Sequence, residues 1–320
     1  MLTYQNTLSI LEIAQLYEGA LPYLRIKIDT DRTGSLCVSG TFDCGQSFRF
    51  DPVEDTVHTA EYAGVAFGRA VSFAEDDEYL YIYNATEQDF FDVWYGYLGL
   101  DLNYNEVRRK IADASDKPVI EKALECGDGI RILAQERWET LCSFIISQNN
   151  NIPRIKKIVR ALSVRLGDPI DISHMNGHLS AVMKEQGAYS FPGADSIRGG
   201  GVELLAELRT GFRAKYIYDA AMRVADGLLD LETVSKEPSL ERAAEMLCQI
   251  KGVGPKVAAC SLLFGFRRYD AFPIDVWIRR VMEKYFPSDF TPESLGQYAG
   301  IAQQYLFYYE RYLSAGNNND

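Results

Sequence analysis

The hydrophobic pattern of this chain changes its period once, near residue 88, and that change limits the folds that the chain can adopt. From about residue 22 to 85, apolar and polar residues alternate in short segments separated by Gly, Asp and Asn turns, as in antiparallel strands. These segments are LRIKIDT, SLCVSGTFDC, SFRFDP and EYLYIYNA. Farther along the chain, apolar residues recur at helical spacing. We therefore predict an α+β fold, in which an antiparallel β-sheet precedes a helical region.

The same change predicts how the chain divides into domains. Residues 1–122 are predicted to form an N-terminal antiparallel sheet domain with flanking helices, and residues 123–320 an all-α region. The helices that the spacing predicts are 103–115, 138–148, 152–167, 214–229, 239–247, 256–266, 276–286 and 294–313. After them, the terminal GNNND has the composition of a disordered end.

The segment CQIKGVGPKVAAC predicts a helix-hairpin-helix motif at residues 239–266. Gly252 and Gly254 suit a very short turn because glycine reaches positive φ without a Cβ clash, and Pro255 suits the first turn of the second helix. Such a turn exposes backbone N–H groups beside a helix N-terminus, and that combination binds a phosphate oxygen. The motif therefore indicates a contact with a nucleic-acid backbone. An ordinary pair of helices with a solvated lysine is the alternative.

The distribution of charge is compatible with a nucleic-acid partner, although the total is not typical of one. The formal net charge is −12. Residues 1–128 contain 10 Lys and Arg against 23 Asp and Glu, whereas the remainder contains 23 against 22. Positive residues concentrate around the hairpin, at Lys251, Lys256, Arg267, Arg268, Arg279, Arg280 and Lys284. A local cluster of this kind can neutralise phosphates, but a solvated helix face shows the same pattern.

The cysteines indicate a reduced, intracellular protein without a metal site. The six cysteines, at positions 37, 44, 126, 142, 248 and 260, form no C-x-x-C pair and have no histidine at ligand spacing. The lack of any cysteine after Cys260 excludes a four-cysteine iron–sulfur cluster in the C-terminal region. No stretch reaches the length of a transmembrane helix, so we expect no membrane partner.

Two residues near the hairpin have types that suit catalysis. Lys256 begins a helix, where the dipole disfavours a cation by about 0.3–1 kcal/mol, and its apolar surroundings also favour the neutral amine. A neutral amine is a nucleophile that can form a Schiff base. Asp275 follows an extended, Pro-containing stretch and precedes a helix, which predicts an N-cap. Capping is a sufficient explanation for this carboxylate, but an oriented carboxylate can also stabilise a positively charged sugar.

Sequence blocks along almost the whole chain resemble those of one enzyme family. The blocks are CGQSFRF (44–50), SFIISQNNNIPRI (143–155), GFRAKY (211–216), GVGPKVAAC (252–260), FPIDV (272–276) and AGIAQQYLF (299–307). They resemble, in the same order, blocks of the helix-hairpin-helix DNA glycosylase superfamily, specifically its bifunctional 8-oxoguanine DNA glycosylases, which are also AP lyases. The resemblance implies that the all-α region is two-lobed, that the enzyme is a monomer, and that it needs no cofactor.

The resemblance implies an activity and a role for each catalytic residue. The enzyme would excise 8-oxoguanine from duplex DNA through a lysine Schiff base, and then cleave the abasic strand by β-elimination. Lys256 would be the nucleophile at C1′, and Asp275 would assist the loss of the base. The base must leave the helical stack to be reached, as in other enzymes that act on a base.

The resemblance also implies which residues bind the extruded base. The backbone carbonyl of Gly45 would accept a hydrogen bond from N7–H, a donor that 8-oxoguanine has and guanine lacks. Cys260 and Phe307 would lie against the two faces of the purine, and Gln303 would contact its Watson–Crick edge. By residue type, Cys260 and Phe307 could instead be ordinary core residues.

A third group of residues would contact the opposite base and the DNA backbone. Asn149, Arg154 and Arg213 would hold the unpaired cytosine. Phe212 would be an aromatic wedge, and the hairpin glycines Gly252 and Gly254 would contact the DNA. Trp277, two positions after the catalytic aspartate, would contact it as well.

Three positions depart from the best-known eukaryotic members, where histidine, tyrosine and alanine stand in place of Trp277, Phe212 and Pro153. Phe212 keeps an aromatic ring but lacks the hydroxyl, which predicts a less strict choice of the opposite base.

Two alternatives remain at this stage. The first is another glycosylase of the superfamily, which would act on alkylated bases or oxidised pyrimidines and keep Asp275. Monofunctional members would lack Lys256, however, and the pyrimidine enzymes usually carry the iron–sulfur cluster. The second is a non-catalytic helix-hairpin-helix DNA-binding protein, which would have no reason to combine Lys256 and Asp275 with the segment around Gly45. The predicted partner is double-stranded DNA containing 8-oxoguanine opposite cytosine, and we expect the protein to be associated with DNA.

Overall fold

A six-stranded antiparallel sheet forms the N-terminal part of the computed structural model, which describes residues 11–175 and 177–316. The strands are β1 (Leu11–Glu18), β2 (Leu21–Ile28), β3 (Phe50–Pro52), β4 (Ala60–Ala66), β5 (Arg69–Glu75) and β6 (Tyr79–Tyr83). Their order across the sheet is β1-β2-β6-β5-β4-β3, and all neighbours are antiparallel. The predicted α+β fold is confirmed.

Helices make up most of the remaining described chain. They are α1 (Thr30–Thr33), α2 (Val38–Asp43), α3 (Glu87–Asp89), α4 (Tyr95–Tyr97), α5 (Tyr104–Asp113), α6 (Pro118–Cys126), α7 (Arg137–Ser147), α8 (Ile152–Leu166), α9 (Gly177–Gln186), α10 (Ala194–Glu207), α11 (Ala214–Ala225), α12 (Leu231–Lys236), α13 (Leu240–Cys248), α14 (Pro255–Phe266), α15 (Val276–Tyr285) and α16 (Ala299–Gly316). A π-helical turn, Phe90–Trp94, joins α3 to α4, and 3-10 turns span Gly211–Arg213 and Pro292–Tyr298.

Every helix predicted after residue 88 is present, and the periodicity missed α4, α6, α9, α10 and α12. Of the terminal GNNND, only Gly316 lies among the described residues. No helix in the described ranges is long and apolar enough to cross a membrane.

One predicted strand is a helix instead. The segment SLCVSGTFDC contains α2, and the Cys37 thiol caps this helix by accepting a hydrogen bond from Gly40 N at 3.3 Å. A Cβ on Gly40 would lie only 3.0 Å from Ile130 Cγ1, so the helix packs closely against the following part of the chain. The alternating pattern could not show this cap or this close contact. In SFRFDP, only the last three residues form a strand, β3.

Separate hydrophobic clusters lie under the sheet and among the helices. Phe42, Phe50, Phe73 and Trp94 are buried under the sheet. The side chains of α5 and α6 belong to the same cluster as those of α7, α8 and α10 to α16, although both helices begin before residue 122, whereas those of α9 cluster with strand residues of the sheet. The boundary between residues 122 and 123 stays a prediction.

A buried arginine connects the sheet to the helices. The Arg131 side chain is fully buried and lies over the Tyr104 ring, 4.5 Å from its centroid. Its guanidinium donates hydrogen bonds of 2.8–3.0 Å to four backbone carbonyls, those of Thr33, Gly34, Ser35 and Gly99. Burial lowers the pKa of this guanidinium, and the four carbonyls offset the cost of burying the charge. Arg131 therefore holds residues 33–35 and 99 together, and its own carbonyl accepts a hydrogen bond of 2.8 Å from Gln46 Nε2, beside Gly45.

Candidate active site

The catalytic and base-binding residues predicted from the sequence surround one cavity of about 890 Å³ and a recess beside it. Gly45, Lys256, Asp275 and Phe307 line both spaces. Cys260 and Gln303 line the recess, whereas Asn149, Gly254 and Trp277 line the larger cavity. The remaining predicted site residues, Arg154, Phe212, Arg213 and Gly252, line neither space.

The hairpin joins α13 to α14, and its two glycines have different roles. Gly252 has φ +80°, and a Cβ at this position would overlap the Tyr216 ring. Gly254 is the N-cap of α14 with φ −108°, which any residue adopts. The prediction that Gly254 serves the turn through positive φ is therefore wrong. A Cβ on Gly254 would meet no atom within 4 Å, so the backbone at the N-terminus of α14 is open to a ligand.

Lys256 is the second residue of α14 and is half-buried. Its Nζ lies 5.5 Å from the centroid of the Phe144 ring, a face that attracts an ammonium ion. Cys260 is buried one turn later, and burial raises the pKa of its thiol, although the nearby Lys256 lowers it. The Cys260 side chain is therefore a neutral thiol at neutral pH.

Asp275 is the N-cap of α15, as the sequence predicts. Its Oδ1 accepts a hydrogen bond of 2.8 Å from Ile278 N. The side chain is half-buried and faces the same cavity as Lys256. Because a backbone donor fixes the carboxylate, its orientation toward the cavity is set before any ligand binds.

Gly45 lies at the edge of the cavity with φ +83°. A Cβ there would lie 3.6 Å from Ile152 Cδ1 and 3.8 Å from Phe307 Cε1, so a larger residue would narrow the entrance to the recess. The preceding Cys44 is buried, and burial raises the pKa of its thiol to about 12. The segment therefore offers backbone groups to a ligand and no reactive thiolate.

Gln303 has an unsatisfied acceptor in the recess. The side chain is 5% exposed, and its Oε1 is buried without a hydrogen-bond partner in the described part of the chain. Such an atom costs roughly 1–3 kcal/mol, and a ligand that donates a hydrogen bond recovers this free energy. The recess holds only about 70 Å³, which is too small for a purine, so its lining must move before a purine can enter.

The residues predicted to bind the opposite base differ in exposure. Asn149 and Arg154 are exposed, and Phe212 is 47% exposed. Arg213 is only 2% exposed. Its guanidinium donates hydrogen bonds to the carbonyls of Gln148 and Asn149, with a distance of 2.8 Å to the latter. Arg213 therefore holds the loop that carries Asn149.

Internal ion pairs reduce the basic cluster predicted around the hairpin. Arg267 pairs with Asp101 at 2.6 Å, Arg268 with Asp270 at 2.9 Å, and Lys284 with Glu310 at 3.5 Å. Within the described ranges, the other four cations make no ion pair with a carboxylate, and these are Lys251, Lys256, Arg279 and Arg280. The cluster available to phosphates is therefore smaller than the sequence predicts.

The sequence interpretation missed Arg311, which lies at the edge of the same cavity. Its Nη1 donates to Asp43 O at 3.3 Å, and its guanidinium lies 5.7 Å from the centroid of the Phe307 ring. The helical spacing of Phe307 and Arg311, four positions apart on α16, could have indicated this neighbour.

Comparisons with known proteins identify the family. The family model for the N-terminal domain of 8-oxoguanine DNA glycosylase matches residues 27–141. The N-glycosylase/DNA lyase of Saccharomyces cerevisiae is 30% identical over 268 residues, which cover 78% of this chain and 68% of the yeast protein. The chain belongs to the 8-oxoguanine DNA glycosylase/DNA lyase family.

Solved structures of the 8-oxoguanine DNA glycosylase/DNA lyase family have the same fold along the chain. MBOgg1 in complex with a low-affinity DNA ligand is 36% identical with a TM-score of 0.79, and the match covers 95% of this chain and 99% of that one. The 8-oxoguanine glycosylase/lyase of Clostridium acetobutylicum, in complex with double-stranded DNA containing cytosine opposite 8-oxoG, is 32% identical with a TM-score of 0.81. That match covers 95% of this chain and 98% of the bacterial one. The predicted enzyme class, a DNA glycosylase and lyase of base excision repair, is confirmed.

Proposed function

We propose that this enzyme excises 8-oxoguanine from duplex DNA through a covalent intermediate on Lys256, and then cleaves the abasic strand. The observation that carries the proposal is the convergence of an amine and an oriented carboxylate on one cavity. Lys256 and Asp275 both line the cavity and its recess, and Gly45, Gln303 and Phe307 surround the same recess. The solved relative from Clostridium acetobutylicum holds DNA with cytosine opposite 8-oxoG, which supports the same substrate here.

The reaction begins when the neutral amine of Lys256 attacks C1′. The Nζ lone pair forms the new C1′–N bond, and the glycosidic bond breaks with its electron pair leaving on the base, which takes up a proton. Positive charge develops on the sugar as the bond breaks. The carboxylate of Asp275, which Ile278 N holds in place, stabilises that charge.

Strand cleavage follows from the same intermediate. Loss of a proton from Nζ and opening of the sugar ring give an imine between Lys256 and C1′. The imine acidifies the C2′–H bond, and removal of that proton expels the 3′ phosphate by β-elimination. Hydrolysis of the imine then releases Lys256 as a free amine.

Recognition of the purine depends on two acceptors in the recess, of which only the Gly45 carbonyl distinguishes 8-oxoguanine from guanine. The carbonyl of Gly45 would accept a hydrogen bond from N7–H of 8-oxoguanine, whereas N7 of guanine is itself an acceptor. The unsatisfied Oε1 of Gln303 would accept from the Watson–Crick edge of the same purine. A site whose buried acceptor is left unpaired by the wrong ligand discriminates strongly against that ligand. Cys260 and Phe307 would contact the two faces of the purine, since both line the recess.

Contacts with the rest of the duplex would come from the loop and the hairpin. We assign the opposite cytosine to Asn149 and Arg154, which are exposed, while Arg213 holds the Asn149 loop in place. The exposed Phe212 would fill the space that the extruded base leaves. The open N-terminus at Gly254, with Gly252 shaping the turn, would bind a phosphate. Trp277, which lines the cavity, would contact the DNA backbone nearby.

Borohydride trapping on a duplex with 8-oxoguanine opposite cytosine tests the proposal. The wild-type enzyme should give a covalent protein–DNA adduct, because borohydride reduces the imine to a stable amine. Lys256→Gln should give no adduct and still bind the duplex. Lys236→Gln, which changes an exposed lysine on α12 that lines neither the cavity nor the recess, is the matched control and should be trapped as wild type. Equal trapping of Lys256→Gln would disprove the assignment of the nucleophile.

A further inference from the structure

The backbone on both sides of Gly45 is held by the amide groups of glutamine side chains. On one side, Gln304 Nε2 donates a hydrogen bond of 2.8 Å to Cys44 O. On the other, Gln135 Nε2 donates a hydrogen bond of 2.8 Å to Gln46 O. Gly45 therefore lies between two carbonyls that are fixed by residues from other parts of the chain.

The Gln46 side has further support. Gln46 Nε2 donates to Thr41 O and Arg131 O, each at 2.8 Å, and its Oε1 accepts from Leu133 N at 2.8 Å. Gln46 is buried, and its amide is bonded on both ends. The loss of one of these hydrogen bonds would leave this side anchored by the others.

On the other side, the Cys44 thiol donates to Thr41 O at 3.2 Å and accepts from Gln46 Nε2 at 3.3 Å, but the Cys44 carbonyl is held by Gln304. Gln304 is 3% exposed and lies on α16, directly after Gln303. If its amide were lost, Cys44 O would be left without this donor at a buried position, which costs free energy. The peptide between residues 44 and 45 could relieve that cost by rotating, since glycine tolerates a wide range of φ and ψ. The Gly45 carbonyl belongs to the next peptide, and a change in φ of Gly45 that accompanies this rotation would redirect it.

We propose that Gln304 is a positioning residue that sets the direction of the Gly45 carbonyl and so the enzyme's selectivity for the oxidised purine. This inference rests on the proposed function, in which that carbonyl accepts from N7–H. Two consecutive glutamines of α16 then line the same recess. Gln303 offers an acceptor to the base, and Gln304 hydrogen-bonds to the backbone beside Gly45.

The experiment compares base excision with strand cleavage in Gln304→Met, which keeps the length of the side chain and removes the donor. Single-turnover excision of 8-oxoguanine opposite cytosine should fall about 10-fold or more, as expected for the loss of one buried hydrogen bond. Cleavage of a duplex with a preformed abasic site should stay within about 2-fold, because no base enters the recess. The ratio of excision rates for 8-oxoguanine and guanine should also fall.

Gln186→Met is the matched control. Gln186 is buried, and its Nε2 donates to Ala63 O at 3.1 Å on the sheet, so the substitution removes the same kind of hydrogen bond away from the cavity. It should lower the melting temperature and leave the ratio of excision to abasic-site cleavage unchanged. If Gln304→Met fails to fold, Gln304→Asn, which shortens the amide by one methylene, should shift the same ratio.

Equal losses of excision and abasic-site cleavage in the Gln304 variant would overturn the proposal, because they would indicate a general structural defect. Unchanged excision would overturn it as well. Failure of the proposed function gives a different result, since wild-type enzyme would then neither excise 8-oxoguanine nor form the borohydride adduct.

Discussion

Asp275 combines a structural and a chemical role in one carboxylate, and a single substitution separates them. Asparagine at this position can still accept the hydrogen bond from Ile278 N, but it has no charge to stabilise the sugar cation. We expect Asp275→Asn to lower single-turnover excision of 8-oxoguanine by about 10²-fold or more and to change the melting temperature little. A variant that keeps its activity but melts at a clearly lower temperature would mean that Asp275 is only a cap.

Local motifs in the sequence singled out two residues, whose catalytic roles stay predictions. Lys256 and Asp275 follow from a hairpin and an N-cap, which are local patterns, and the structure places both at one cavity. Partners that are distant in sequence left no such pattern. Gln304 bonds to Cys44 across 260 positions, and Arg213 bonds to Asn149 across 64. Only the fold brings these groups together.

Substitution of the two hairpin glycines by alanine should have opposite effects on stability and on DNA binding. A Cβ at Gly252 would overlap the Tyr216 ring at a positive φ, so Gly252→Ala should lower the free energy of unfolding by about 1–3 kcal/mol. Gly254→Ala should have little effect on folding, because φ is −108° and the space around a Cβ is open. The added methyl would instead occupy the space in which a phosphate approaches α14, and it should weaken binding of undamaged duplex several-fold.

Denaturant unfolding and a DNA titration on both variants check this prediction. The expected pattern is a stability defect with Gly252→Ala and a binding defect at near wild-type stability with Gly254→Ala. If Gly254→Ala bound DNA as wild type does, the N-terminus of α14 would not be a phosphate site.

Secondary structure could be predicted where one hydrophobic period runs over many residues. Short elements were missed because a few residues match more than one period. The long helices α7, α8 and α14 were predicted from helical spacing. By contrast, α2 has only six residues, and its alternation of apolar and polar residues matches a strand equally well. The thiol cap of Cys37 and the contact of Gly40 with Ile130 favour the helix, and neither is visible in a short window of sequence.

Across the whole molecule, charge is divided between internal ion pairs and surface that can bind DNA. The sequence predicted one cluster of seven cations, but two of the three ion pairs within it involve residues distant in sequence, whose proximity only the fold determines. Arg267 pairs with Asp101 across 166 positions, for example. An enzyme with a net charge of −12 can still bind a polyanion if the exposed cations near the cavity make no internal pair.

Two cations on α15 allow this division of charge to be tested within one helix. Arg279 is exposed and has no ion pair among the described residues, whereas Lys284 pairs with Glu310. Neutralising a residue that contacts a phosphate reduces the slope of log K against log salt concentration by about 1. Arg279→Gln should therefore make the salt dependence of duplex binding shallower, to the same degree for damaged and undamaged DNA.

Lys284→Gln is the control for that measurement, because it removes the same charge from the same helix. Its side chain is 53% exposed, whereas that of Glu310 is only 12% exposed, so the substitution removes this partner from a nearly buried carboxylate and should lower the free energy of unfolding. We expect it to leave the salt slope unchanged, since Lys284 is directed toward Glu310. Equal changes of slope in both variants would show that binding responds to net charge alone. A smaller slope with Arg279→Gln only would show that the unpaired cations beside the cavity are the ones that contact DNA phosphates.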